Sequence, residues 1–273
     1  MEKIQSAIAK ARASRQAPRN LSDPAAKLTR VTPPAVQEAW DGIEAVTLNP
    51  RELQRNRVFT LNACDQSTSF DMLRTRMLRQ MRAEGWRRVA VTSPDQGCGK
   101  STITANLALS LARQADLRTL VIDLDLRLPA LARVLGIANP PQFSEALAGD
   151  AAPEERLRRV GDNLCLALNG AAVRGSAELL QRAEVAHVLD RIERALAPSV
   201  TLFDMPPMLR GDDTLAFLDK VDCAMLVVEA EVTPVADVDR CEQELGQNTN
   251  VLGVVLNKLR HTESGSYGYG YGS

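Results

Sequence analysis

The stretch Arg88–Thr102, RVAVTSPDQGCGKST, limits the fold more than any other, because it demands a strand, a tight turn and a helix start within a few residues. Val89, Ala90 and Val91 make a short apolar strand, and Lys100, Ser101 and Thr102 open an apolar helix that continues ITANLALSLA. Gly97 and Gly99 let the backbone curl between the two without a Cβ penalty. The first N–H groups of a helix lack partners inside it and carry partial positive charge, which suits such a turn to a polyphosphate. Gly97, Cys98, Gly99, Lys100, Ser101 and Thr102 are therefore the candidate nucleotide contacts, with Lys100 reaching the β- and γ-phosphates and Ser101 offering its hydroxyl to Mg²⁺. Pro94 stands where the strict phosphate-loop pattern has its first glycine.

Two later strands deliver carboxylates. In RTLVIDLDLRLPAL, Arg118–Leu131, an apolar run leads to Asp123, and Asp125 and Arg127 follow at steps of two, so all three point to one side of an extended segment. In SVTLFDMPPML, Val200–Phe203 lead to Asp204, and Pro206 and Pro207 then break the strand. In an open α/β sheet, ligands sit at the carboxyl ends of the strands. A carboxylate delivered there beside a phosphate loop is the Walker-B way of holding Mg²⁺, directly or through a water. Ser101 and Asp204 are therefore candidate metal ligands.

The same alternation continues along the chain. Helices are expected at Phe143–Ala148, Ala183–Ala197 and Val235–Leu245, and strands at Asn163–Leu168, Cys223–Ala230 and Asn250–Leu259. The expected fold is α/β, a three-layer phosphate-loop fold with a mostly parallel sheet flanked by helices. Asn257, at the end of the last strand, is placed either to meet a nucleotide base or to form a turn. Ser67–Glu84 has Phe70, Leu73, Met77 and Met81 at helical spacing, with Arg74, Arg76, Arg79 and Arg82 between them.

The ends differ in composition. Met1–Arg19 spells a short basic helix, and Pro18–Pro50 reads as an extended proline-bearing linker. The last residues, ESGSYGYGYGS, hold every tyrosine of the protein: Tyr267, Tyr269 and Tyr271. The expected division is 1–66 for the basic helix and linker, 67–261 for the nucleotide domain, and 262–273 for a Tyr-rich tail. Lys and Arg total 33 against 34 Asp and Glu, a balance that argues against a nucleic-acid partner. Five cysteines outside any Cys-x-x-Cys arrangement read as reduced thiols rather than disulfides or a zinc site. Apolar runs fall short of the roughly 18 residues needed to span a bilayer, and no signal-peptide core is evident, so a cytoplasmic location is expected.

A phosphate loop, then DLDLR, then FDMPP, then a terminal tyrosine cluster resembles the bacterial protein-tyrosine kinases that regulate capsule and exopolysaccharide synthesis, relatives of the MinD/ParA partition ATPases. The resemblance covers Thr68 to the C-terminus. It implies that Gly97–Thr102 bind ATP, that Asp123 and Asp204 organise Mg²⁺, and that Lys100 stabilises the transferred phosphoryl. It further implies that Asp123 or Asp125 helps deprotonate an incoming tyrosine, a phenol of pKa about 10 that is a poor nucleophile at neutral pH. The acceptors would be Tyr267, Tyr269 and Tyr271 of a neighbouring subunit. With no fused transmembrane segment, the chain is similar to the split form. That form implies self-association, a separate membrane-bound polysaccharide co-polymerase adaptor that recruits the kinase to the inner face of the membrane, and a cognate phosphotyrosine phosphatase.

Some positions depart from the pattern. The family's Glu-x-x-Arg-x-x-Arg assembly motif aligns with Thr68, Asp71 and Arg74, and Gln96 replaces the proline before the first loop glycine. Two other readings are a MinD/ParA-like ATPase switch and a nucleotide-binding scaffold without kinase activity. The first usually carries a lysine where this chain has Asp95.

Overall fold

The carboxylates and the glycine turn come together because of the order in which the strands pair. In the computed structural model, which describes residues 33–259, the strands are β1 (Arg88–Thr92), β2 (Thr119–Asp123), β3 (Leu157–Val160), β4 (Leu164–Ala167), β5 (Val200–Asp204), β6 (Cys223–Glu229) and β7 (Asn250–Asn257). They form one sheet in the order β3–β4–β2–β5–β1–β6–β7. Every pairing is parallel except β3 with β4. β2, β5 and β1 are the three central strands and are almost wholly buried, as their unbroken apolar runs require.

Helices cover both faces. They are α1 (Pro34–Asp41), α2 (Pro50–Arg55), α3 (Thr68–Glu84), α4 (Lys100–Ala112), α5 (Leu131–Val134), α6 (Phe143–Ala148), α7 (Ser176–Gln181), α8 (Ala183–Leu196) and α9 (Val235–Asn248). α4 is buried nearly all round, which explains why its sequence is apolar on every side rather than on one stripe. Its one buried amide, Asn106, is satisfied partly from outside the helix. It accepts from Phe59 N at 2.9 Å and donates to the carbonyls of Arg57 at 3.0 Å and Thr102 at 2.9 Å. No helix among the described residues is long and apolar enough to cross a membrane.

The described part of the expected linker, from residue 33 to Pro50, is not extended. α1 and α2 each carry proline at their first position, where the missing N–H and fixed φ do no harm. Asn49 caps α2 by accepting from Arg51 N. Trp40 is fully buried, and its indole N–H donates to Leu196 O at 2.8 Å. Next, residues 44–46 run along the outer edge of β3, with Arg159 N donating to Glu44 O and Val46 N to Arg159 O, both at 2.8 Å. Ile43, Leu48, Leu53 and Val58 then join the two cores flanking the sheet. A few large apolar side chains therefore suffice to bind this proline-spaced stretch to the nucleotide domain. The basic helix expected at Met1–Arg19 and the tyrosines of the tail lie outside the described residues.

Candidate nucleotide site

β2 and β5 are neighbours in register, with Asp123 opposite Asp204, so the two carboxylates lie side by side at the sheet's carboxyl edge. β1 pairs with the other side of β5, and beyond β1 the chain turns through Ser93–Gly99 into α4. Gly97 and Gly99 have φ of +81° and +92°, the left-handed region that favours glycine. A Cβ on Gly99 would collide with the Asn257 side chain, which donates to Cys98 O at 2.8 Å. In the structure the Asn257 amide fastens the end of β7 to the glycine turn.

Lys100 Nζ lies 2.7 Å from Asp125 Oδ2. Burial of the ammonium works to lower its pKa, but the charges of Asp204, Asp125 and Asp123 outweigh that and raise it. Asp123 is fully buried and accepts from Asp125 N and Leu131 N, each at 3.2 Å. Burial, joined by the charge of Asp204, pushes its pKa well above the carboxylate range. Asp204 is also fully buried. Burial pushes its pKa up to about 6, against the lowering effect of Lys100 and of the Ser101 and Thr104 hydroxyls. Thr104 Oγ1 donates to Asp204 Oδ1 at 3.4 Å, while Oδ2 has no hydrogen-bond partner among the described residues.

That unpartnered buried oxygen is the test of whether the site fits Mg²⁺. A hard dication that keeps most of its waters takes one or two carboxylates plus phosphate oxygens rather than an all-protein cage. Among the described residues no group of three or more His, Cys, Asp or Glu side chains forms such a cage, and Ser101 and Asp204 supply hard oxygen donors. The site fits. Asp123, with both oxygens already accepting backbone N–H groups, is better placed to act through a water than directly.

The structure thus brings Gly97, Cys98, Gly99, Lys100, Ser101, Asp123, Asp125, Asp204 and Asn257 to one edge, with Thr102 in the first turn of α4. Two features were missed from sequence. Asp95 is held by Arg210 in a bidentate pair, and Arg127 is held by the buried Asp213 at 2.7 Å. Neither pairing leaves a spacing signal, since the partners lie far apart in sequence. The assembly-motif positions Asp71 and Arg74 turn inward. Asp71 accepts from Ser110 Oγ and Arg113, and Arg74 donates to Ser110 O at 2.7 Å.

Residues 89–268 match the family described as the CobQ/CobB/MinD/ParA nucleotide binding domain. The chain belongs to this family. Within the CobQ/CobB/MinD/ParA group, it is similar to the putative tyrosine-protein kinase EpsB of Ralstonia nicotianae. The two are 30% identical over 207 residues, which make up 75% of this chain and 27% of EpsB, so the chain spans about a quarter of that relative. Among solved structures it resembles the kinase domain of the Escherichia coli tyrosine kinase Etk, with 25% identity, a TM-score of 0.60, and coverage of 72% of this chain and 80% of that one. It also resembles cobyrinic acid a,c-diamide synthase from Mycobacterium smegmatis with bound ADP and magnesium. That match has 26% identity, a TM-score of 0.52, and coverage of 63% of this chain and 74% of the other.

Proposed function

We propose that the protein is an ATP-dependent protein-tyrosine autokinase that phosphorylates Tyr267, Tyr269 and Tyr271 of another copy of itself and regulates capsule or exopolysaccharide synthesis and export. The observation that carries this reading is the register of Asp123 with Asp204 beside a glycine turn whose lysine already contacts Asp125. The similarity to EpsB and Etk supplies the direction of the chemistry.

In this reading the N–H groups of Gly97–Thr102 hold the ATP phosphates, and Lys100 exchanges its bond to Asp125 for the β- and γ-phosphoryl oxygens. Ser101 and Asp204, with Asp123 beside them, would hold Mg²⁺, which would supply positive charge against the phosphates. Once Lys100 has moved, Asp125 is free to take the phenolic proton. Asp123, whose pKa burial has raised, is the other carboxylate able to do so. A membrane-bound polysaccharide co-polymerase adaptor, reached through Met1–Arg19 and the start of its linker, recruits the kinase to the inner face of the membrane. A phosphotyrosine phosphatase resets the tail, and residues 67–261 and 262–273 act as catalyst and substrate.

The test is intact mass of the purified protein before and after ATP and Mg²⁺. Wild type should gain up to three phosphates. Lys100→Met and the triple Tyr→Phe variant should gain none, and phosphate appearing on serine alone would sink the proposal.

A further inference from the structure

The parallel pairing of β1 with β5 does not stop where the strands end. Met205 N donates to Val91 O at 2.9 Å, Met208 N to Ser93 O at 2.8 Å, and Leu209 N to Pro94 O at 3.1 Å. Thr92 Oγ1 adds a bond to Pro206 O at 2.7 Å. The last rung is made by side chains: Arg210 Nε and Nη2 meet the two Asp95 oxygens at 2.5 and 2.7 Å. Beyond it the chains part, one into Gln96 and the glycine turn, the other into Gly211.

Asp95 is fixed from its own side as well. Gln96 N donates to its carboxylate at 2.6 Å, and Ser93 Oγ to its carbonyl at 2.7 Å. Arg210, followed by that backbone N–H, holds the carboxyl below its ordinary pKa, so it is ionised across the neutral range. A bidentate guanidinium–carboxylate pair is directional as well as charged, and swapping Arg for Lys would lose the fork. The strand carrying Asp204 and the turn carrying Gly97 and Gly99 are thereby joined outside the sheet, at the first residue where the turn leaves its neighbour.

We propose that Arg210 is a positioning residue that clasps the start of the phosphate turn through Asp95 and so sets how readily a bound nucleotide escapes. The inference rests on the nucleotide-binding part of the function proposed above and not on transfer to tyrosine. Both side chains are about half exposed, at 59% and 47%, which bounds the effect. An exposed pair, screened by solvent, changes a rate or equilibrium constant by roughly fivefold at most.

The experiment measures the dissociation rate of a fluorescent ADP in Mg²⁺ from the full chain, a readout that needs no catalysis. Arg210→Ala and Asp95→Asn should each speed release about fivefold. Arg210→Lys should recover only part of the loss, and the double variant should be no worse than either single one. Raising salt should speed release from wild type more than from Arg210→Ala, because only the former has this exposed ion pair beside the turn to screen. The exchanged pair Asp95→Arg with Arg210→Asp should restore slow release. Single variants with wild-type release, additive losses in the double variant, or an exchanged pair as fast as the singles would each overturn the proposal. Thermal melting of every variant separates loss of the clasp from loss of the fold. If nucleotide fails to bind wild type at all, the function proposed above falls, and the clasp with it. If nucleotide binds and the tail gains no phosphate, the clasp stands.

Discussion

Three buried carboxylates, Asp123, Asp125 and Asp204, share a single ammonium, Lys100, at the carboxyl edge of the sheet. The imbalance shows in Asp204, whose pKa burial pushes up to about 6, above the roughly 4 of an unfolded carboxylate. A raised folded pKa means that the native state holds the proton more tightly. The resulting stability is complete below the unfolded value and is lost as pH rises through about 6. The melting temperature of the nucleotide-free protein should therefore increase between pH 7.5 and 5. Asp204→Asn should flatten that rise, and a wild-type slope unchanged by the substitution would count against it. Mg²⁺ with nucleotide favours the ionised form and should reverse the trend. Asp123 and Asp204 were legible in the sequence because each ends an apolar strand directly, a local pattern that fixes both element and edge. The Asp95–Arg210 pair was not, because what brings its members together is the ladder between β1 and β5, a consequence of strand order.

At the scale of elements, the longer strands and helices from Thr68 onward were readable from period and length, whereas β3, the short helices α5 and α7 and the α1–α2 stretch were not. β3 has the short sequence Leu-Arg-Arg-Val, whose two arginines hide a strand, and it runs antiparallel on the edge of an otherwise parallel sheet. In α1 the signal was a single large residue among prolines. Trp40 fills the core beneath α8, and Arg118 lies over its ring, 5.3 Å from the centroid. Replacing a buried aromatic of this size with alanine costs about 3–5 kcal/mol. Trp40→Ala should lower the urea midpoint accordingly while leaving the nucleotide dissociation rate of the folded fraction unchanged. A cost below about 1 kcal/mol would show that residues 33–48 are dispensable to the fold.

At the scale of the whole molecule, net charge is only −1, so the tail phosphorylation proposed above would change the electrostatics substantially. Each phosphotyrosine adds roughly −1.5 to −2 charge, and several crowded tails repel one another. Size-exclusion chromatography should show a larger species after phosphatase treatment than after incubation with ATP, and identical elution would argue against tail-controlled assembly. Asp71 and Arg74 are engaged with α4 rather than presented outward, so any such assembly uses surfaces other than these two side chains.

Asn257 gives the architecture a mechanical aspect. It is the final residue of β7, and its amide grips Cys98 in the middle of the glycine turn. Tension on the carboxyl-terminal end is thus shared between β6, through Lys258 and Ala230, and the glycine turn, like a rein tied to a bit, and a tug there would alter the curvature of that turn.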